Sequence, residues 1–178
     1  MTEAHRMFKA GLFTELARAL SKHGHKCEPR DVQAIVNGVA PLSHATERAI
    51  RKVIGDDAAQ AAIAAANSTG QEVPSERVLG QALWRHLCGQ FAAACNKTMA
   101  ELAAGAKFTH VDGDWIGRIV LSYAEPPVLL ATAIGKLTPI PATAWRPNRA
   151  AAPTAAPSRS PLQQILAGEP VDIGHLFA

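Results

Sequence analysis

The sequence predicts an all-α protein: two small helical units in tandem, followed by an extended C-terminal arm. Three observations carry that expectation. The apolar residues are dominated by alanine and aromatics make up only 5% of the chain, and alanine is the best helix former and a poor strand former. Apolar side chains recur at helical spacing in several stretches, with Gly, Pro or Ser where those stretches stop and start. From Thr138 the periodicity gives way to TPIPATAWRPNRAAAPTAAPSRSP, the composition of an extended linker.

The elements follow in order. Met7 to His23 places Phe8, Leu12, Phe13, Leu16, Ala19 and Leu20 on one stripe, with Gly24 as the stop. The polar loop SKHGHKCEP leads to Pro29, a residue suited to the first position of a helix running to Asn37. Val32, Ile35 and Val36 face inward there, leaving Arg30, Asp31, Gln33, Ala34 and Asn37 outside. Asn37-Gly38 ends this helix, Pro41 marks the turn, and Ser43 caps the next, Ser43 to Ile54. Asp56 to Asn67 is an alanine-rich helix opening on carboxylates. STGQEVPS (68–75) is the expected boundary between a unit at 1–67 and a unit at 74–138. Glu76 to Cys95 carries the stripe Val78, Leu79, Ala82, Leu83, Leu87, Phe91 and Ala94, with Trp84 beside it, placed either between the units or at a dimer contact.

The run VQAIVNGVAPLSHATERAIRKVIG (32–55) joins a short helix, an Asn-Gly stop, a Pro turn and a Ser-capped helix. It resembles the later half of the lambda-repressor/Cro-like (Xre-type) helix-turn-helix domain, with the likeness spanning about residues 13–55. The connection from Leu20 to Pro29 is longer than the turn of that family. The resemblance implies a recognition helix at 29–37. On it, Arg30, Gln33 and Asn37 reach base edges, and Lys22, His25, Lys26, Arg48 and Arg51 hold phosphates. Those residue types suit the roles: Arg grips guanine, and Gln or Asn grips adenine, through two hydrogen bonds each. The residues alone leave the plainer readings open, a solvated helix face for the first set and helix-dipole partners for Arg48, Arg51 and Lys52.

A second copy is expected at 99–137. Shifted by 84 residues, Ile35, Val36, Ala40, Ala49, Ile50 and Lys52 match Ile119, Val120, Ala124, Ala133, Ile134 and Lys136, and Glu15-Leu16-Ala17 recurs as Glu101-Leu102-Ala103. Its short helix, Asp114 to Ser122, should turn Asp114, Gly117, Arg118 and Leu121 outward, a set poorer in base-reading groups. Dimerisation or a weaker DNA contact suits it better.

Residues 139–178 form the linker and a docking segment. Arg146, Arg149 and Arg159 suit loose phosphate contact, and Leu162, Ile165, Leu166, Leu176 and Phe177 suit docking on a dimer mate, on the chain itself or on another protein.

Composition bounds the rest. A net charge of +3 and a pI near 8.9 are compatible with nucleic acid without singling it out. Cys27, Cys88 and Cys95 form no CxxC pair, and Cys88 and Cys95 read as buried small hydrophobes. His23, His25 and Cys27 share a loop but lack partner ligands elsewhere, so no metal is expected, and no other cofactor. His110, Asp112 and Asp114 are explained by a turn. No phosphate-cradling loop, G-x-S-x-G or HExxH motif occurs, so the chain is not expected to be an enzyme. No secretory leader or apolar run of about 18 residues is visible, and the cysteine usage fits a reducing cytoplasm. The expected function is a dimeric, sequence-specific, double-stranded-DNA-binding transcriptional regulator of bacterial, phage or plasmid type. The alternatives are a helical protein-binding adaptor or antagonist that uses its tail, and an RNA-binding regulator.

Overall fold

A computed structural model of the chain describes residues 2–68 and 73–145. Among them lie seven α-helices, a terminal 3-10 turn and no strand: α1 (Glu3–Lys22), α2 (Pro29–Val36), α3 (His44–Ile54), α4 (Asp56–Ser68), α5 (Ser75–Ala103), α6 (Gly113–Val120), α7 (Val128–Leu137) and the 3-10 turn Ala142–Trp145. The protein is all-α, as its composition predicts, and no helix among the described residues is long and apolar enough to cross a membrane.

Two hydrophobic clusters share α5. The first gathers Phe13, Leu16 and Leu20 of α1 with Val32 and Ile35 of α2, Ala49, Ile50 and Ile54 of α3, Ala59 of α4, and Leu79 and Leu83 of α5. The second gathers Ala4, Phe8 and Leu12 of α1 with Cys88, Ala92, Cys95 and Met99 of α5, Ile116, Ile119 and Val120 of α6, Leu130, Ala131, Ala133 and Ile134 of α7, and Ile140 and Trp145. Trp84 and Leu87 pack against both clusters, and Trp84 stacks on Phe13 with ring centroids 5.3 Å apart. Of its two expected placements, Trp84 takes the one between the halves. Met1–Trp145 is one compact unit, so the expected boundary near 68–75 joins parts of a single body.

Four expectations need correction. Helix α1 begins at Glu3, ahead of Met7, because the Thr2 hydroxyl accepts the His5 N–H at 3.4 Å and both Ala4 and His5 are buried. Helix α5 runs through Asn96 to Ala103 and stops where Ala104 (φ 49°) and Gly105 (φ 89°) turn left-handed. Glu101-Leu102-Ala103 therefore ends a helix, whereas Glu15-Leu16-Ala17 sits inside one. Gly117 is buried in α6, where an outward position was expected. Residues 138–145 are no free linker: Ile140 is 2% exposed and Trp145 1%, with Trp145 set edge-on to His5 at 5.2 Å and to Phe8 at 5.6 Å.

The end of α2 recurs at the end of α6. After α2 the N–H groups of Asn37, Gly38 and Val39 donate to the carbonyls of Gln33, Ile35 and Ala34, at 3.0 Å each. After α6 those of Leu121, Ser122 and Tyr123 donate to Gly117, Ile119 and Arg118, at 3.0, 2.9 and 2.8 Å. Every partner lies 84 residues from its counterpart. The residue that closes the turn is left-handed in both, Gly38 at φ 67° and Ser122 at φ 63°. Each short helix also packs on both long ones: α2 on α1 and α5, and α6 on α5 and α1.

Close approach of α5 to α2 depends on Gly80. A Cβ there would sit 2.1 Å from the Ile35 carbonyl oxygen, while a Cβ on Gly89 meets nothing within 4 Å. Gly80→Ala should lower unfolding free energy by about 2–3 kcal/mol, the range of overpacking. Gly89→Ala should raise it by about 0.5–1 kcal/mol, the helix-propensity gain. Urea denaturation of the two variants tests the contrast.

Candidate nucleic-acid interface

The candidate surface is built from the end of α1, the loop after it, α2 and the start of α3. Left-handed Gly24 (φ 87°) turns the chain out of α1. Pro29 opens α2, and the Asp31 carboxylate accepts the Glu28 N–H at 3.0 Å, closing the first turn. Val32 and Ile35 anchor α2 in the first cluster, which fixes what faces away. Arg30, Asp31 and Asn37 are exposed, and Gln33 and Ala34 are half-buried. Of the three expected base-contacting residues, Arg30 and Gln33 therefore lie on the eight-residue helix and Asn37 caps its C-terminus, with Arg30 and Asn37 open to solvent and Gln33 partly so.

Arg30 is not an isolated cation. Its Nε lies 3.0 Å from Glu28 and 3.9 Å from Asp31, with 81% of its side chain exposed. Arg51 is half-buried and pairs with Glu47 at 3.0 Å. His25 is also half-buried, with Nε2 3.4 Å from the Thr46 hydroxyl. Thr46 in turn lies 2.8 Å from the Ser43 hydroxyl, which accepts the Thr46 N–H at 3.1 Å and so caps α3. His25 thus pins the α1–α2 loop to the first turn of α3. Lys22, Lys26 and Arg48 are exposed and form no ion pair among the described residues. Lys26 and Arg30 line one shallow depression together with Glu28 and Asp31. Of the expected phosphate set, then, Lys22, Lys26 and Arg48 stand free, while His25 and Arg51 hold the scaffold together.

Other candidate chemistry resolves into structure. Asp112 caps α6 by accepting the Trp115 N–H at 2.7 Å, and the His110 ring lies 4.8 Å from that of Phe108. Among the described residues no group of three His, Cys, Asp or Glu side chains is placed to hold a metal ion. A residue the sequence reading missed is Asn96, whose side-chain amide donates to the Val111 carbonyl at 2.7 Å and accepts the Val111 N–H at 2.9 Å. That clamp fixes the loop before α6, and its only sequence signal is a polar residue inside an apolar stripe. The residues expected to dock, Leu162, Ile165, Leu166, Leu176 and Phe177, and those expected to touch phosphate loosely, Arg146, Arg149 and Arg159, lie outside the described residues.

Away from this surface, α1, α5 and residues 137–140 border an apolar groove of about 440 Å3, lined by Met7, Phe8, Leu12, Leu87, Phe91 and Leu137. No family model, curated protein or solved structure matches the chain.

The thiols offer a check on this packing. Burial pushes the Cys88 thiol up to about 12, with Asp114 adding to the shift, and burial alone pushes Cys95 up to about 12. Cys27 is raised as well, by burial first and Asp31 second, but it is half-exposed. A thiol-specific disulfide reagent at pH 8 should modify Cys27 alone in the folded protein, and all three cysteines in denaturant. Fast labelling of Cys88 or Cys95 without denaturant contradicts the packing around α5.

Proposed function

We propose that the protein is a sequence-specific double-stranded-DNA-binding regulator of transcription, acting as a dimer, of the kind found in bacteria, phages and plasmids. The observation that carries this reading is α2 itself. It is held from below by Val32 and Ile35, it turns Arg30, Gln33 and Asn37 away from the core, and free cations at Lys22, Lys26 and Arg48 belong to the flanking segments. A groove-reading helix needs this division between an apolar anchor and a polar outer set. Arg30 must exchange Glu28 for a base edge. Exposed ion pairs contribute only about 0–1 kcal/mol, so the exchange costs little against the two hydrogen bonds Arg can make to guanine. Dimerisation would place two α2 helices on successive turns of the duplex.

A second reading, a protein-binding adaptor or antagonist, draws on the apolar groove beside α1 and α5 and on the C-terminal segment. Removing residues 160–178 should then abolish partner binding and leave any DNA binding in place.

The deciding experiment is selection from a randomised duplex pool at two salt concentrations. A regulator enriches a defined site, with affinity falling steeply as salt rises. Arg30→Ala and Gln33→Ala should each lose about 1–3 kcal/mol of discrimination at one position of that site. A pool that enriches nothing at either salt removes the regulator reading.

A further inference from the structure

Helix α5 delivers one more cation to the end of α2. A Cβ built on Gly38 would lie 2.8 Å from Cβ, 2.9 Å from Cγ and 3.0 Å from Cα of Arg77. The first turn of α5 therefore rests against the Asn37-Gly38 corner, with the Arg77 N–H bonded to the Pro74 carbonyl at 3.0 Å. Arg77 itself is exposed. Arg6, Arg18, Arg30 and Arg51 each pair with a carboxylate; Arg77, like Arg48, Arg85 and Arg118, pairs with none among the described residues. A guanidinium fixed at its root, free at its tip and set beside an outward-facing asparagine is arranged for an anionic ligand.

We infer that Arg77 is a backbone-phosphate contact of the same surface, closing its far end. This rests on the DNA-binding reading above. An eight-residue helix is about 12 Å long at about 1.5 Å per residue, close to the roughly 12 Å width of the B-DNA major groove. Lys26 stands at one end of α2, beside Arg30, and Arg77 stands at the other. A helix bracketed in this way meets the phosphates of both groove walls while Arg30, Gln33 and Asn37 face the bases between them. The ligand class is duplex DNA, gripped at Arg77 through charge and without regard to sequence.

The test compares wild type, Arg77→Ala and Arg77→Lys binding to a short mixed-sequence duplex, and to any selected site, by fluorescence anisotropy across a salt series. Arg77→Ala should reduce the slope of log affinity against log salt by about 1 and weaken all duplexes alike. Arg77→Lys should keep the slope. A plainer role for Arg77 is to complement the carbonyl end of α2. In that case Arg77→Ala lowers the thermal midpoint and leaves the slope unchanged, which overturns the inference. A loss confined to particular sequences overturns it too. If wild type binds duplexes and Arg77→Ala matches it, only the Arg77 assignment fails. If wild type binds no duplex at either end of the salt range, the regulator reading fails and takes the assignment with it.

Discussion

The structure depends on one constraint, that α5 lies in direct backbone contact with the elements it supports. Gly80 admits the Ile35 carbonyl. A Cβ on Gly113 would come within 2.9 Å of the Gly89 nitrogen, so the start of α6 also lies against the α5 backbone, less tightly than α2 does at Gly80. Between these two contacts Trp84 stacks on Phe13 and joins both hydrophobic clusters. A single long helix is thus the shared wall of two cores. Close-packed interiors transmit small volume changes, so a change at Gly80 is felt in α2, the helix proposed to read DNA.

Around that wall the chain uses one local device twice. A short helix ends in the same three backbone hydrogen bonds and a left-handed residue, once at Gly38 and once at Ser122. Glycine adopts that conformation at no steric cost, while serine is strained there. The two corners then diverge in chemistry. Asn37 and His44 in the first stand where Leu121 and Val128 stand in the second, the latter 52% and 63% exposed. The first corner carries Asn37 and His44 at the surface with Val39 75% exposed beside them, and the second carries Leu121 and Val128 with Tyr123 75% exposed, so the second is the more apolar of the two.

Arg6 and Arg18 of α1 and Arg51 of α3 are tied to carboxylates three or four residues away, Glu3, Glu15 and Glu47 in turn, while Arg48 of α3 has no such partner. Such pairs contribute a few tenths of a kcal/mol to a helix, about 0.2–0.5 each, and present little net field. Among the described residues Lys22, Lys26, Arg48 and Arg77, around α2, form no ion pair, and neither do Lys9, Lys52, Arg85, Lys97, Lys107, Arg118 and Lys136 elsewhere on the chain.

Local chemistry in the sequence determined where most helices begin and end. Ser43 and Asp112 cap, Pro29 starts, Gly24 and Gly38 stop, and the 3.6-residue spacing of Val32 and Ile35 chose the buried side of α2, which exposed Arg30 and Asn37. Each of these signals acts within four or five residues, so a single chain displays it. Tertiary structure decided everything that joins distant segments. It carried α5 through Asn96, whose amide finds Val111; it drew Ile140 and Trp145 out of a proline-rich run into the space beside Phe8 and His5. It buried Gly117, and it set Arg77 against Gly38. Those outcomes follow from apolar area and backbone contacts across more than a dozen residues of chain, and burial between segments leaves no periodic trace in either one.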